Sequence, residues 1–205
     1  MTTYLGFDVL DFVRPNRINV MSALFAHDLA KLDYGTGAVL VDDKSGVSKT
    51  ETEHAYLLDG RANIATLKSF VDARKGKAVP FWVPTWQRDL VPTLDISSVA
   101  LNITVEYINY TNLVYPSTPR HYITFISSSG AQVYKKVSNT FDNGDGTETL
   151  TLSNQVGQAY SKDQVLISYL TLCRLSEDAT EYTWHHRELA EVSLKFIEIV
   201  TEVPI

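Results

Sequence analysis

The sequence predicts a mainly β protein, all-β or α+β, in which a β-sandwich-like domain with one main α-helix carries a second, inserted all-β domain. Two observations lead to this fold class. Most of the chain alternates apolar and polar residues with period two, as half-buried strands do. One segment changes convincingly to helical spacing, and a long stretch of strands and turns follows it.

Alternation predicts strands along most of the chain. The segment 165–175 is apolar on both faces, which predicts a central strand. The last segment, 191–200, slips phase at Phe196 and Ile197, which predicts a β-bulge. The other predicted strands are 38–41, 54–58, 101–107, 122–126, 132–137 and 148–152.

The main helix is predicted over residues 62–76. Helical spacing is kept by its apolar residues Ile64, Leu67, Phe70 and Val71. Arg74 and Lys75 place cations in the last turn, and Gly76 suits a C-terminal cap. A weaker pattern of the same kind predicts a second, shorter helix over residues 23–32.

Prolines mark the predicted domain boundaries. Pro80, Pro84 and Pro92 bracket an apolar block, and beyond it residues 93–165 contain strands and turns without a plausible helix. We therefore expect a domain inserted at residues 93–165, within a host domain formed by residues 1–92 and 166–205.

Composition and charge exclude several classes of protein. The 205 residues are 44% hydrophobic and 20% charged, as in ordinary globular proteins. The net charge of −6 disfavours specific nucleic-acid binding, since phosphate contacts need the opposite sign. Cys173 is the sole cysteine, so no internal disulfide can form. We expect no secretory signal in residues 1–8, and no membrane insertion, because apolar runs are short.

The motifs that could carry chemistry are weak, and we expect no catalytic, metal or cofactor site. Residues 142–146, Asp-Asn-Gly-Asp-Gly, fit a hairpin turn better than a calcium loop, because Ser153 stands where the loop needs a glutamate. Residues 35–37 lack the third glycine of a dinucleotide loop. His185 and His186 are adjacent, so an extended backbone directs them to opposite faces rather than to one metal ion.

An aromatic block follows the helix. Phe81, Trp82 and Trp86 are large, stiff side chains set between prolines, and Arg88 follows them. Such side chains anchor either a hydrophobic core or a subunit interface, and the sequence leaves both alternatives open. The four residues are therefore candidate interface residues.

The order of these residues resembles that of distal tail proteins of long-tailed bacteriophages. The first matching segment is 57–90, where the helix is followed by Phe-Trp-Val-Pro-Thr-Trp. The second comprises 172–178, with its Arg-x-x-x-Asp turn, then Tyr182-Thr-Trp184 and the amphipathic strand 190–199. Together they cover roughly a third of the chain, and residues 93–165 match only in pattern.

The resemblance implies a structural role in the virion and no enzymatic activity. Such proteins form a homo-oligomeric ring, expected here to be a hexamer, that connects the tail tube protein to the baseplate hub at the tail tip. The inserted domain, OB-like or a β-barrel, would point outward toward tail fibres or host surface glycans. The protein would be assembled in the cytoplasm of the host bacterium.

A carbohydrate-binding function is the alternative, within a tail-tip or hub subunit that attaches to the host. The predicted inserted domain contains a cluster of tyrosines whose rings could stack on sugars, namely Tyr107, Tyr110, Tyr115 and Tyr122. An enzyme acting on the cell envelope is a third possibility, for which the sequence offers no acid, base or nucleophile in a recognisable arrangement.

Overall fold

The fold is that of a computed structural model, which describes residues 2–16, 22–26, 29–33, 39–43, 49–116 and 120–199. Residues 35–37 lie outside this part of the chain. The described residues form two compact units. We call residues 2–12 and 82–171 the barrel unit, and the described residues of 13–81 and 172–199 the sheet unit.

The protein is mainly β, with 47% of residues in strands and 12% helical, which confirms the predicted fold class. One main helix, α1, spans Arg61–Arg74, and a short π-helical turn spans Tyr110–Val114. The strands are β1 Thr3–Tyr4, β2 Phe7–Asp8, β3 Ser22–Ala26, β4 Leu29–Asp33, β5 Val39–Asp43, β6 Lys49–Asp59, β7 Phe81–Pro84, β8 Asn102–Glu106, β9 Tyr122–Ile126, β10 Gln132–Asp142, β11 Thr147–Leu152, β12 Leu166–Leu175, β13 Tyr182–His186 and β14 Leu189–Glu198.

The sheet unit is built around the antiparallel pair of β6 and β14. Strand β3 pairs with the free side of β6, while β13 and residues 173–175 of β12 pair with the other side of β14. The register of β14 against β6 runs unbroken through Phe196 and Ile197, so the predicted bulge is wrong. Phe196 is buried and Ile197 half-buried, which keeps the alternation of faces intact.

Helix α1 buries one side within the sheet unit, through Ile64, Leu67 and Phe70. The Phe70 ring meets Phe81 edge-on at a centroid distance of 5.2 Å, and Phe81 meets Phe196 at 5.9 Å. The predicted helix is therefore confirmed, and its buried face is the one that the apolar spacing indicates.

The helix ends two residues before the predicted cap. Both Lys75 (φ 50°) and Gly76 (φ 63°) adopt the left-handed conformation after Arg74. A side chain at position 76 would collide with Asp178, whose carboxylate accepts a hydrogen bond from the Lys77 N–H at 3.1 Å. Close approach of the 177–178 turn therefore requires glycine at this position.

The second predicted helix, over residues 23–32, is wrong. Strand β3 pairs with β6 from Ser22 opposite Glu53 to Ala26 opposite Lys49, and β4 forms a hairpin with β5. Cross-strand backbone hydrogen bonds thus outweigh a weak intrinsic preference for helix. Among the described residues, β4 and β5 pair with no other strand.

The barrel unit contains the antiparallel strand order β12-β9-β10-β11-β8. Residues 90–92 connect the two outer strands, because Leu90 bridges Ile167 of β12 and Pro92 bridges Val105 of β8. This segment closes the sheet around one hydrophobic core, which includes Leu90, Ile103, Val105, Phe125, Leu150 and Ile167. The closed arrangement removes the free strand edges of an open sheet.

The two units divide at different positions from those that the prolines suggested. The barrel unit contains the described residues of 2–12 and 82–171, whereas the sequence placed the insertion at residues 93–165. The bridge between Val9 and Trp82 and the bridge between Leu90 and Ile167 hold these additional segments in the barrel unit. No helix in the part of the chain described here is long and apolar enough to cross a membrane.

Candidate functional site

The aromatic block lies in the interior of the chain. Trp82 is 1% exposed, its Nε1–H donates to the Tyr4 carbonyl at 2.9 Å, and its ring lies 4.8 Å from that of Tyr122. Trp86, also in the barrel unit, is buried, and Phe81 is buried in the core of the sheet unit. These three candidate interface residues thus stabilise the interior and present no ring to a partner.

Arg88 is the exposed member of the candidate interface set. Its guanidinium donates a hydrogen bond to the Lys162 carbonyl at 3.4 Å. The turn that carries it is fixed by Asp89, whose carboxylate accepts hydrogen bonds from the Thr85 hydroxyl and, at 2.8 Å, from the Tyr169 N–H. Burial raises the pKa of Asp89, and these hydrogen bonds oppose that rise. The structure therefore does not bring the four candidates together on one surface.

A surface rich in carboxylates covers the face of β6 and β14 that points away from the buried residues of these strands. We call it the acidic face. It includes Glu51, Glu53, Glu191, Ser193 and Lys195, which alternate with the buried positions of the two strands. The Ser193 hydroxyl donates to Glu53 at 2.7 Å, the Lys195 ammonium donates to Glu177 at 2.9 Å, and Glu191 lies 3.3 Å from His185. Carboxylates outnumber cations on this face, so it repels anions.

Two strands of the sheet unit, β3 and β13, each have one edge that no other described strand pairs with. Among the described residues, β3 pairs only with β6 and β13 only with β14. The open strands carry apolar side chains in water, since Leu24 is 60% exposed and Trp184 is 58% exposed. An unpaired edge offers backbone hydrogen bonds to another chain, and the exposed side chains add apolar surface to such a contact.

The tyrosines proposed to stack on sugars lie mostly in the interior. Tyr110 and Tyr122 are buried, Tyr115 is half-buried, and only Tyr107 is clearly exposed. The Tyr110 hydroxyl donates to the Arg120 carbonyl at 2.8 Å, and burial raises the pKa of this phenol above its usual 10. These four rings do not form one exposed stacking surface.

Sequence reasoning missed a buried carboxylate that shapes the barrel unit. Glu148 is fully buried and accepts hydrogen bonds from the N–H groups of Ile108 (3.1 Å), Tyr110 (3.0 Å) and Thr111 (2.8 Å). Burial alone would raise the pKa of Glu148, but these three N–H groups lower it below its usual range. The pattern contained the signal, since Glu148 stands in phase with the inward-facing Leu150 and Leu152.

A buried imidazole occupies the core of the sheet unit. His54 lies on the inward side of β6, with its Nδ1 3.3 Å from the Tyr56 hydroxyl and its ring 5.2 Å from that of Phe196. Burial lowers the pKa of His54 to about 4, so the ring is neutral at pH 7. Cys173 is likewise buried in this unit. Both side chains serve packing here.

The motifs with metal-ligand residues act as turns and surface contacts. The Asp142 carboxylate accepts the Gly144 N–H at 2.9 Å, which stabilises the predicted hairpin turn between β10 and β11. His185 and His186 are both exposed on β13, and His185 lies 3.3 Å from Glu191. The described residues contain no group of three His, Cys, Asp or Glu side chains that could hold a metal ion.

We compared the sequence with protein-family models and with curated proteins. No protein-family model matches the chain, and no curated protein matches it.

Proposed function

We propose that this protein is a structural component of a bacteriophage virion, a distal tail protein whose copies form a ring between the tail tube and the baseplate hub. One observation carries the proposal: among the described residues the sheet unit leaves one edge of β3 and one edge of β13 unpaired, and the face between them is acidic. The other face of this sheet, which carries the buried residues of β6 and β14, is covered by α1. The resemblance of segments 57–90, 172–178, 182–184 and 190–199 to distal tail proteins supports the same conclusion.

Open edges on opposite sides of one sheet suit a head-to-tail assembly. If β13 of one copy pairs with β3 of the next, every copy uses the same two surfaces, and a constant rotation closes the ring. Trp184 and Leu24, which the registers place on opposite faces of the sheet, would then each lie beside the edge strand of the next copy. A hexamer is the expected ring, and the backbone hydrogen bonds of two short strands would specify its register.

The charge of the acidic face suits a channel for DNA. A ring whose sheets line the opening would present Glu51, Glu53 and Glu191 to the passing duplex. Carboxylates repel phosphates, so DNA would move through without adhesion. Nothing in this task requires a catalytic group or a cofactor, and the proposed partners are the tail tube protein, the hub protein and further copies of the chain.

Light scattering on two matched variants tests the open-edge contact. Trp184→Lys places a charge in the proposed subunit contact, whereas Leu113→Lys places the same charge on an exposed position of the barrel unit. We expect the first variant to be monomeric at concentrations where the wild type and Leu113→Lys are oligomeric, with similar melting temperatures for all three. Oligomers of unchanged mass for Trp184→Lys would contradict the proposed contact.

A further inference from the structure

The turn between β10 and β11 contains the dipeptide Asn143-Gly144, and no other asparagine of the chain precedes a glycine. Both residues are exposed. Gly144 has a φ of 74°, and beyond its chain neighbours no atom lies within 4 Å of the position that a Cβ would occupy. A glycine nitrogen is little shielded, because no side chain stands beside it. The side-chain amide of Asn143 therefore precedes an accessible main-chain nitrogen in contact with water.

Hydrogen bonds polarise both groups of this pair. The Gly144 N–H donates to the Asp142 carboxylate at 2.9 Å, which places a base against the nitrogen. The Thr149 hydroxyl donates to the Asn143 Oδ1 at 3.1 Å, which draws electrons away from the amide carbon Cγ. A base on a nucleophile and a donor on the oxygen that gains charge are the two contacts that promote attack on a carbonyl carbon.

Further contacts hold the amide in one orientation. The Asn143 side-chain N–H donates to the Thr147 hydroxyl oxygen at 2.8 Å, and that hydroxyl donates to the Asp145 carboxylate at 2.6 Å. The main-chain N–H of Asn143 donates to the Thr147 carbonyl at 3.1 Å, which closes the turn. Backbone and side chain of Asn143 are thus already ordered, so they lose little further freedom when the amide reacts.

We infer that Asn143 deamidates spontaneously in the folded chain, and that Asp142 and Thr149 promote the reaction. Asp142 takes the proton of the Gly144 nitrogen, and this nitrogen attacks Cγ of Asn143. A bond forms between that nitrogen and Cγ, the bond from Cγ to Nδ2 breaks, and the amide nitrogen leaves as ammonia with the transferred proton. Water then opens the cyclic imide, at Cγ to give aspartate or at the main-chain carbonyl carbon to give isoaspartate.

The product differs from the newly made chain in charge and in the path of its backbone. Each conversion adds one negative charge to a chain of net charge −6, in a turn that already carries Asp142 and Asp145. The isoaspartate branch also inserts a methylene group into the main chain, which disturbs the hydrogen bond that closes the turn. The barrel unit thus acquires a second, more acidic form with time. This inference does not depend on the proposed ring.

Mass spectrometry of the purified full chain, stored at mildly alkaline pH, tests the inference. We expect the mass gain of an amide-to-acid exchange, mapped by proteolysis to the peptide that contains Asn143 and faster there than at the other asparagines. Isomerisation of Asp145, which also precedes a glycine, changes no mass, so the gain reports deamidation alone. Thr149→Val and Asp142→Ser should each slow the gain by about tenfold or more.

Thr151→Val is the matched control, because it removes the same hydroxyl from β11 two residues beyond Thr149, whereas the Asn143 side chain bonds to Thr147 and Thr149. It should leave the rate unchanged, and all variants should keep the circular dichroism of the wild type. Asp142→Ser retains an acceptor for the turn, so its slower gain would report the lost carboxylate.

Two results would overturn the inference. In the first, Asn143 stays unmodified in the folded chain while the same chain unfolded in urea gains the mass, because the turn would then protect the amide. In the second, the wild type, Thr149→Val and Asp142→Ser gain mass at equal rates, because the two side chains would then have no part in the reaction.

Discussion

Replacing Trp82 with alanine measures what the aromatic block contributes to the interior of the chain. The indole is 1% exposed, donates to the Tyr4 carbonyl and packs on Tyr122. Its removal leaves a cavity between these two residues and takes the donor from a backbone carbonyl. Truncation of a buried tryptophan to alanine costs about 3–5 kcal/mol.

Thermal unfolding followed by circular dichroism converts this cost into a measurable shift. For a chain of this size each kcal/mol lowers Tm by about 2–4 °C, so Trp82→Ala should melt about 6–20 °C below the wild type. Trp82→Phe keeps an aromatic ring but loses the Nε1–H donor, and it should fall between the two. Arg88→Ala is the control, because an exposed side chain is worth about 0.5 kcal/mol or less.

An unchanged melting temperature for Trp82→Ala would refute this reasoning. If the variant also lost oligomers that the wild type forms, the residue would act at a subunit contact, which was the second alternative left open by the sequence. The buried position of Trp82 predicts that Trp82→Ala loses stability without a specific loss of assembly.

Three further predictions concern charge. Burial lowers the pKa of His54 from 6.5 to about 4, so the unfolded chain binds a proton on this ring between pH 6.5 and pH 4 that the folded chain does not bind. The free energy of unfolding is therefore unaffected by this group above pH 6.5 and should fall by about 3 kcal/mol as the pH drops to 4. Melts of His54→Gln across the same range should lack this loss. Glu148→Gln should destabilise the chain by about 1–3 kcal/mol in urea unfolding at pH 7, because an amide replaces a carboxylate that accepts three N–H groups. The double variant Glu51→Lys and Glu53→Lys should retard duplex DNA in a gel at low salt where the wild type does not.

Each of these predictions has a contrary result. An equal acid sensitivity in His54→Gln would mean that other groups cause the loss, and an unchanged urea midpoint for Glu148→Gln would mean that its hydrogen bonds are replaced by water. Retardation of DNA by the wild type at physiological salt would contradict the repulsive role of the acidic face.

The strands and the main helix could be predicted because local patterns determine them. Residues 148–152 alternate, 165–175 are apolar throughout, and Ile64, Leu67 and Phe70 repeat at helical spacing; each pattern reports which face is buried. The same alternation located Glu148 on the inward side, although its three N–H partners come from a segment about 40 residues earlier.

The division into units could not be predicted because long-range pairing decides it. Pro92 resembles a domain boundary in sequence, yet it bridges Val105, and Leu90 bridges Ile167. Likewise, residues 22–26 form a strand because β6 lies beside them, which a local pattern does not reveal. The candidate interface residues failed to converge on one surface for a related reason, since burial of Phe81, Trp82 and Trp86 depends on partners distant in the chain.

Negative-stain electron microscopy of the purified full chain tests the central claim most directly. Assembly through the open strands β3 and β13 predicts closed rings with a central hole, hexameric in class averages, and their loss in Trp184→Lys. A wild-type chain that shows only monomeric particles at high concentration, or compact dimers without a hole, would contradict the proposed tail-ring function.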